Sequence, residues 1–196
     1  MKQYIIVPLG DLLEKYNTEK LQMAFDNFKC EREQELEIFI QRKAIDYERR
    51  GIGKTYLFID ADALNNEKFI LMAYTTVAHT TIDISRLGKN KKKTVLGNYP
   101  GRDGLNSFSA FLIGQLGRSD TYTHVDLPGD ILLNEAYHII SEASKIIGGN
   151  LLVLECREHM FEKFYSKHGF NKLYDELEDG LYTLYQRLNF QDYWKK

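Results

Sequence analysis

From Glu31 to Arg50 the apolar positions Leu36, Phe39, Ile40, Ala44 and Tyr47 recur at three- and four-residue steps, with charged residues between them. That spacing predicts a helix with one buried face, stopped by Gly51. Ahead of it, "QYIIVPL" (3–9) suits a short edge strand, because Pro8 cannot donate to a ladder, and a polar helical stretch follows. "KTYLFID" (54–60) and "KFILMAYTTVA" (68–78) are β-branched and aromatic runs on either side of the turn-forming "ADALNNE", so they predict an antiparallel pair. Residues 85–105, with several glycines, Pro100 and "KNKKK", read as a long surface loop.

The second half is more apolar. "SFSAFLIGQLG" (107–117) has the density of a central strand. A helix is predicted from about Pro128 to Ile147, with Leu132, Leu133, Ala136, Ile139, Ile140, Ala143 and Ile147 as its buried stripe and two glycines closing it. "NLLVLEC" (150–156) is the next buried strand, and the helix carrying "FEKFYSKHGF" (161–170) follows. The segments around "LEDG" alternate and predict a terminal hairpin. This order implies a mixed α/β sheet with helices on its faces, and a ligand crevice beyond the central strand ends.

Composition narrows the class. The 196 residues, 43% apolar, are enough for one domain over 1–196 with a substantial core. A net charge of −2 lacks the basic excess of many dedicated nucleic-acid binders, although a local basic patch is compatible with it. Two cysteines, Cys30 and Cys156, form neither a zinc-type pair nor a disulfide framework, and point to a reduced, cytoplasmic setting. The apolar run Tyr4 to Leu9 is too short for a signal-peptide core or a membrane span.

Several motifs fail on spacing or context. "RRGIGKT" (49–55) matches the end of a phosphate-binding loop, but Glu48 stands where its first Gly belongs, and the segment runs from helix to strand, the reverse of the required order. Lys89, Lys91, Lys92 and Lys93 suit either phosphate contacts or a solvated loop. The five histidines show no metal-ligand spacing, so no metal site is expected. No serine sits in a Gly-flanked elbow, and Cys156 reads as a buried, inert thiol. What survives is a helix N-terminus following a central strand, which is a general anion site, and Tyr165 near the end of the neighbouring helix.

The segments "AFLIGQLGRSDTY", "PGDILLNEAYHII", "GGNLLVLEC" and "FEKFYSKHGF", in that order, resemble the GNAT superfamily of acetyl-CoA-dependent N-acetyltransferases. The first half, "FDNFKCEREQELEIFIQRKAIDYERRGIGKTYLFID" followed by "ILMAYTTVA", is similar to the GNAT toxins of toxin–antitoxin pairs. Those begin with Phe, any residue, Cys, Gly; here Phe28, Lys29 and Cys30 are followed by Glu31. The resemblance implies the GNAT fold, a mixed, mostly antiparallel sheet flanked by helices, and transfer of acetyl from acetyl-CoA directly to a primary amine.

It also implies residue roles. The strand ending at Leu116, Gly117 and Arg118 would splay from its neighbour, pair with the pantetheine arm and supply oxyanion amides near Leu116 and Arg118. The pyrophosphate loop would correspond to "HVDLPG" (124–129), with Leu127, Gly129, Asp130 and Ile131 at the cofactor. Only Gly129 keeps the family's glycine pattern; Leu127 replaces a Gly, Pro128 has no N–H, and Asp126 and Asp130 bring negative charge. Tyr165 matches the tyrosine that protonates the departing thiolate, directly or through a water; a Tyr that merely packs is the alternative. Glu155, a water or solvent would deprotonate the amine. Two rival readings follow: a degenerate GNAT-like binding module, and a toxin acetylating the α-amine of aminoacyl-tRNA. The expected partners are an amine substrate, tRNA or an antitoxin, and a second copy of the chain, with no membrane.

Overall fold

The structure, a computed structural model, describes residues 1–189; residues 190–196 of the expected domain lie outside the described range. The chain divides into two compact units, one of Met1–Ala78 with Gly114–His138 and one of His79–Ile113 with the residues from Ile139 onward. Seven strands form one sheet in the order β1-β2-β3-β4-β5-β7-β6. Two of them, β3 (Leu71–Asp83) and β4 (Ser107–Arg118), pass through both units.

In the first unit β1 (Tyr4–Pro8) is an edge strand, antiparallel to β2 (Lys54–Asp60), with Tyr4 opposite Asp60 and Pro8 opposite Tyr56. Pro8 closes β1 and caps α1 (Leu9–Lys15), so its missing N–H costs no ladder bond inside the sheet. β2 pairs with β3 antiparallel, with a bulge between Phe58 and Ile59. The link "ADALNNE" holds a short helix, α5 (Ala61–Asn65), because Asp60 accepts from the Ala63 N–H at 3.0 Å and nucleates it.

The long helix expected over 31–50 is present from Gln34 to Arg50 as α3 (Gln34–Ile38), a π-helical turn (Phe39–Lys43) and α4 (Ala44–Arg50). Gly51, at φ 67°, supplies the left-handed residue that ends it. The widened turn disturbs regular i→i−4 bonding, and the Tyr74 hydroxyl donates to the Leu36 carbonyl at 2.6 Å. With α2 (Thr18–Asp26), these helices bury Phe25, Phe28, Phe39 and Ile40 against Leu57, Ile59 and Tyr74. Phe58 points the other way and packs with Met72, Tyr122, Leu127 and Leu132, as the two-residue period of a strand requires.

In the second unit β5 (Leu151–Cys156) is antiparallel to β7 (Tyr182–Arg187), which pairs in turn with β6 (Asn171–Lys172), the predicted hairpin. Residues 85–105 depart from the expected loop: α6 (Lys89–Leu96) and a 3-10 turn at Arg102–Gly104 occupy the stretch. Val95, Leu96 and Lys92 form the buried stripe of α6. Lys92 is 5% exposed, its stem buried and its ammonium donating to the carbonyls of Leu105 and Asp103, so a core position was disguised as a charge. α7 (Gly129–Ile147) is the predicted long helix and runs through both units. Among the described residues no helix is long and apolar enough to cross a membrane.

Candidate active site

The second half of β4 lies in the first unit. β4 and β5 are paired in parallel at Phe111↔Leu152 and Leu112↔Val153, yet β4 continues to Arg118. Gly114, which follows this pairing by two residues, is exposed in mid-strand. A strand backbone continuing past its ladder, beginning at an exposed glycine, fits an extended, amide-bearing ligand such as a pantetheine arm. The Gln115 carbonyl accepts from Thr75 Oγ1 at 3.0 Å, tying this segment to β3.

Side chains alternate along it. A Cβ on Gly117 would lie 3.1 Å from Tyr74 Cε1 and 3.4 Å from Leu36 Cδ1, so glycine there lets α3 and Tyr74 seat closely on the strand. Leu116 packs on the opposite face with Phe58 and Leu127. Arg118 Nη1 donates to the Leu127 carbonyl at 2.8 Å, a brace between strand end and loop.

The loop after β4 is held by its own donors. The Ser119 N–H reaches the Met72 carbonyl, and the Tyr122 hydroxyl donates to the Asp60 carboxylate at 2.8 Å. Burial pushes the Asp60 carboxyl upward, but the Ala63 N–H, the Tyr122 hydroxyl and the Lys2 ammonium outweigh it and hold the group below its ordinary range. Asp126 accepts from the Thr123 N–H at 2.8 Å and from its hydroxyl at 2.7 Å; these bonds, the backbone one foremost, hold that carboxyl low too.

Leu127, expected at the cofactor, is fully buried among Phe58, Met72 and Leu132, and its N–H donates to the Thr123 carbonyl at 3.1 Å. Its side chain is core, so the expectation that it lies at the cofactor is corrected. Gly129, Asp130 and Ile131 form the first turn of α7, where the Ile131 N–H donates back to the Pro128 carbonyl at 3.1 Å.

In the second unit, α8 (Glu158–Lys163) ends one residue before a 3-10 turn, Tyr165–His168, closed by Gly169 at φ 81°. Tyr165 opens that turn, so it lies past the α-helix rather than within it. Its ring packs edge-on against Phe164 at 5.0 Å and Phe170 at 5.5 Å, and the residue is 7% exposed. The hydroxyl makes no hydrogen bond to any described residue. The ring is therefore fixed by aromatic packing in a nearly dry setting. Burial, with a smaller contribution from Cys156, raises the phenol well above its usual value, so it stays a proton donor at neutral pH.

Other sequence candidates have structural roles. Lys54 is ion-paired with Glu48 at 2.8 Å, and Glu48 also accepts from the Thr55 N–H at 2.9 Å. Lys91 donates to the Lys172 carbonyl, and its ammonium lies 5.5 Å from the centre of the Tyr185 ring. Burial pushes the Cys156 thiol up to about 11. Glu155 is exposed on β5 between buried neighbours. The Arg118 brace and the Thr75 tie were missed from sequence, where a lone Arg or Thr at a strand carries no signal of its distant partner.

No family model and no curated protein matches this sequence. Solved structures do. The toxin AtaT complexed with acetyl-methionyl-tRNAfMet matches with a TM-score of 0.68 and 20% identity, over 99% of this chain and 100% of that one. A tyrosine-to-phenylalanine mutant of AtaT, bound to the C-terminus of the antitoxin AtaR and acetyl-CoA, matches with a TM-score of 0.67 and 15% identity, over 98% and 99%. A tyrosine-to-phenylalanine mutant of KacT matches with a TM-score of 0.69 and 19% identity, over 93% and 94%. The chain has their fold, the mixed, mostly antiparallel sheet flanked by helices that the sequence resemblance implied.

Proposed function

We propose that this chain is an acetyl-CoA-dependent N-acetyltransferase of the GNAT toxin type, one domain over 1–196 acting in the cytoplasm, that transfers acetyl directly to the α-amine of an aminoacyl-tRNA and is held in check by an antitoxin. The observation carrying the reading is Tyr165: a ring locked by Phe164 and Phe170, with a hydroxyl bonded to no described residue, on a fold shared over nearly the whole chain with AtaT bound to acetyl-CoA. The AtaT complex with acetyl-methionyl-tRNAfMet supports the choice of acceptor.

The donor supplies an acetyl thioester, whose carbonyl carbon the amine attacks as the bond to sulfur breaks, the nitrogen losing its extra proton to Glu155, a water or solvent. The backbone of Gly114–Arg118 orients the donor's amide arm, and amides near Leu116 and Arg118 stabilise the charge developing on the carbonyl oxygen. Gly129, Asp130 and Ile131, opening α7, would meet the donor's phosphates; Leu127 shapes the turn before them, its side chain being core and its N–H and carbonyl bonded to Thr123 and Arg118. Tyr165 Oη gives its proton to the departing sulfur and is re-protonated from solvent. Burial disfavours tyrosinate, and the same dry surroundings disfavour a bare thiolate, so proton transfer between them is not opposed by the raised phenol alone.

A second reading has its own support. Pro128 has no N–H and the Leu127 N–H is bonded to the Thr123 carbonyl, so two amides that a phosphate loop would use are not offered, as expected of a binding module that has lost catalysis. Incubation with labelled acetyl-CoA and a pool of charged tRNAs separates the readings. The enzyme predicts label on the aminoacyl ester and none on deacylated tRNA. Label remaining on the donor with every charged tRNA would overturn the proposal, and calorimetric silence toward acetyl-CoA would favour the module.

A further inference from the structure

The turn between α2 and α3, residues 28–33, has its backbone bonded from several elements of the first unit at once. The Phe28 N–H donates to the Phe25 carbonyl at 3.0 Å, which closes the turn onto α2. The Phe28 carbonyl accepts from Gln41 Nε2 at 2.9 Å, and the Cys30 N–H donates to Glu37 Oε2 at 3.0 Å, with Lys29 Nζ on the other oxygen at 2.9 Å. Gln41 is itself held, because Gln22 Nε2 donates at 2.7 Å to its carbonyl within the π-helical turn.

The other side of the turn is tied to Asp120, two residues past the end of β4. The Asp120 N–H donates to the Lys29 carbonyl at 2.8 Å, and Asp120 Oδ2 accepts from the Glu31 N–H at 2.6 Å. One residue thus grips the turn on both sides of Cys30, through its main chain and its side chain. Surface connections ordinarily leave such groups to water, so this turn is fixed more firmly than a link between two helices requires.

Its location gives the fixing a use. Leu36, on the helix that follows the turn, seats against Gly117, so α3 overlies the same end of β4 that the acetyl-CoA reading gives to the donor. Lys29, Glu31 and Arg32 of the turn are exposed beside that strand end. An amine attacking a thioester must come within about 3–3.5 Å of the carbonyl carbon, and a displacement of about 1 Å costs up to about a hundredfold in rate. A wall bonded to the donor strand itself keeps that spacing.

We infer that Asp120 is a positioning residue, locking the 28–33 turn to β4 as the wall along which the amine acceptor docks. The inference rests on the N-acetyltransferase reading above. Asp120 acts through the turn alone, so its loss is felt in use of the acceptor and not in binding of the donor.

The test combines steady-state acetylation of charged tRNA with equilibrium binding of acetyl-CoA, for the wild-type chain, Asp120→Ala, Asp120→Asn and Glu37→Ala. Loss of a charge-assisted bond to the Glu31 amide should raise the KM for charged tRNA about tenfold in Asp120→Ala, with kcat and the acetyl-CoA Kd within about twofold of wild type. Asp120→Asn keeps an oxygen that accepts from Glu31 and should recover most of that loss. Glu37→Ala frees the same turn at Cys30 without touching β4 and should reproduce the rise in KM, so the outcome does not depend on the folding of one variant. Acetyl-CoA binding weakened in step with the acceptor would overturn the inference and make Asp120 a brace of the donor strand. A fall in kcat with KM unchanged would overturn it as well. If the wild-type chain acetylates no charged tRNA, the N-acetyltransferase reading falls and takes the latch with it; if it does and the variants match it, the latch alone falls.

Discussion

Replacing Gly117 by alanine probes how tightly the candidate donor strand is packed. The new Cβ would sit 3.1 Å from Tyr74 Cε1, 3.4 Å from Leu36 Cδ1 and 3.5 Å from Leu36 Cβ. Tyr74 has little freedom to yield: it is fully buried, its ring lies parallel to Phe39 at 6.0 Å and edge-on to Phe28 at 5.4 Å, and its hydroxyl is bonded to Leu36. Overpacking of this kind costs about 1–3 kcal/mol, and the lower chain entropy of alanine returns about 0.4–1 kcal/mol, leaving a net loss of about 1–2 kcal/mol. For a domain of this size that is a fall in melting temperature of roughly 3–6 °C. Gly104→Ala is the control, since a Cβ there meets nothing within 4 Å and φ is not positive; its melting temperature should hold or rise slightly. Thermal and urea melts of both variants decide the matter. A Gly117→Ala protein as stable as wild type would refute the close seating of Tyr74 and α3 on this strand.

Asp60 should make stability acid-sensitive. Its folded pKa is depressed, so its contribution is present above the ordinary carboxylate value of about 3.9 and is lost as pH falls through the lower folded value. Asp60→Asn should cost about 1–3 kcal/mol at pH 7 and flatten the acid limb of a stability–pH curve; an unchanged limb would contradict the assignment. Glu48→Ala leaves the buried Thr55 amide without its acceptor and should destabilise by about 2–4 kcal/mol in a urea titration, with Glu48→Gln milder. Cys156, with its thiol near 11, should react with a maleimide about two orders of magnitude more slowly at pH 8 than a free cysteine does; rapid labelling of the folded chain would contradict its burial.

Where local pattern determines structure, the sequence was readable. β2, β4, β5, α7 and the terminal hairpin lie within a few residues of their predicted spans, because strand alternation, a long apolar stripe and glycine stops are each written in contiguous residues. The stretch 85–105 was misread for a physical reason: Lys92 fills a buried helical position, and a lysine stem does not register as apolar in a periodicity argument. The π-helical turn at Phe39–Lys43 preserves the apolar spacing of an ordinary helix, so it too was invisible.

The candidate site was legible as a set of segments, less so as chemistry. Tyr165 was identified from its motif, but its packing between Phe164 and Phe170 and its place at the start of a 3-10 turn depend on how "FEKFYSKHGF" turns at Gly169. The resemblance implies a donor role for Leu127, while its burial depends on Phe58 and Met72, 69 and 55 residues away in sequence. The bonds that hold the end of β4 and the loop after it, Tyr122 to Asp60, Thr75 to Gln115 and Asp120 to Lys29, join residues whose partners no local pattern indicates.

The most direct test of the acetyl-transfer account is Tyr165→Phe, measured for both turnover and donor affinity. The ring and its packing survive the change, so acetyl-CoA should bind with nearly unchanged affinity while kcat falls by more than about tenfold, the usual scale of a lost general acid. Turnover equal to wild type would show that the Tyr165 hydroxyl moves no proton in the reaction.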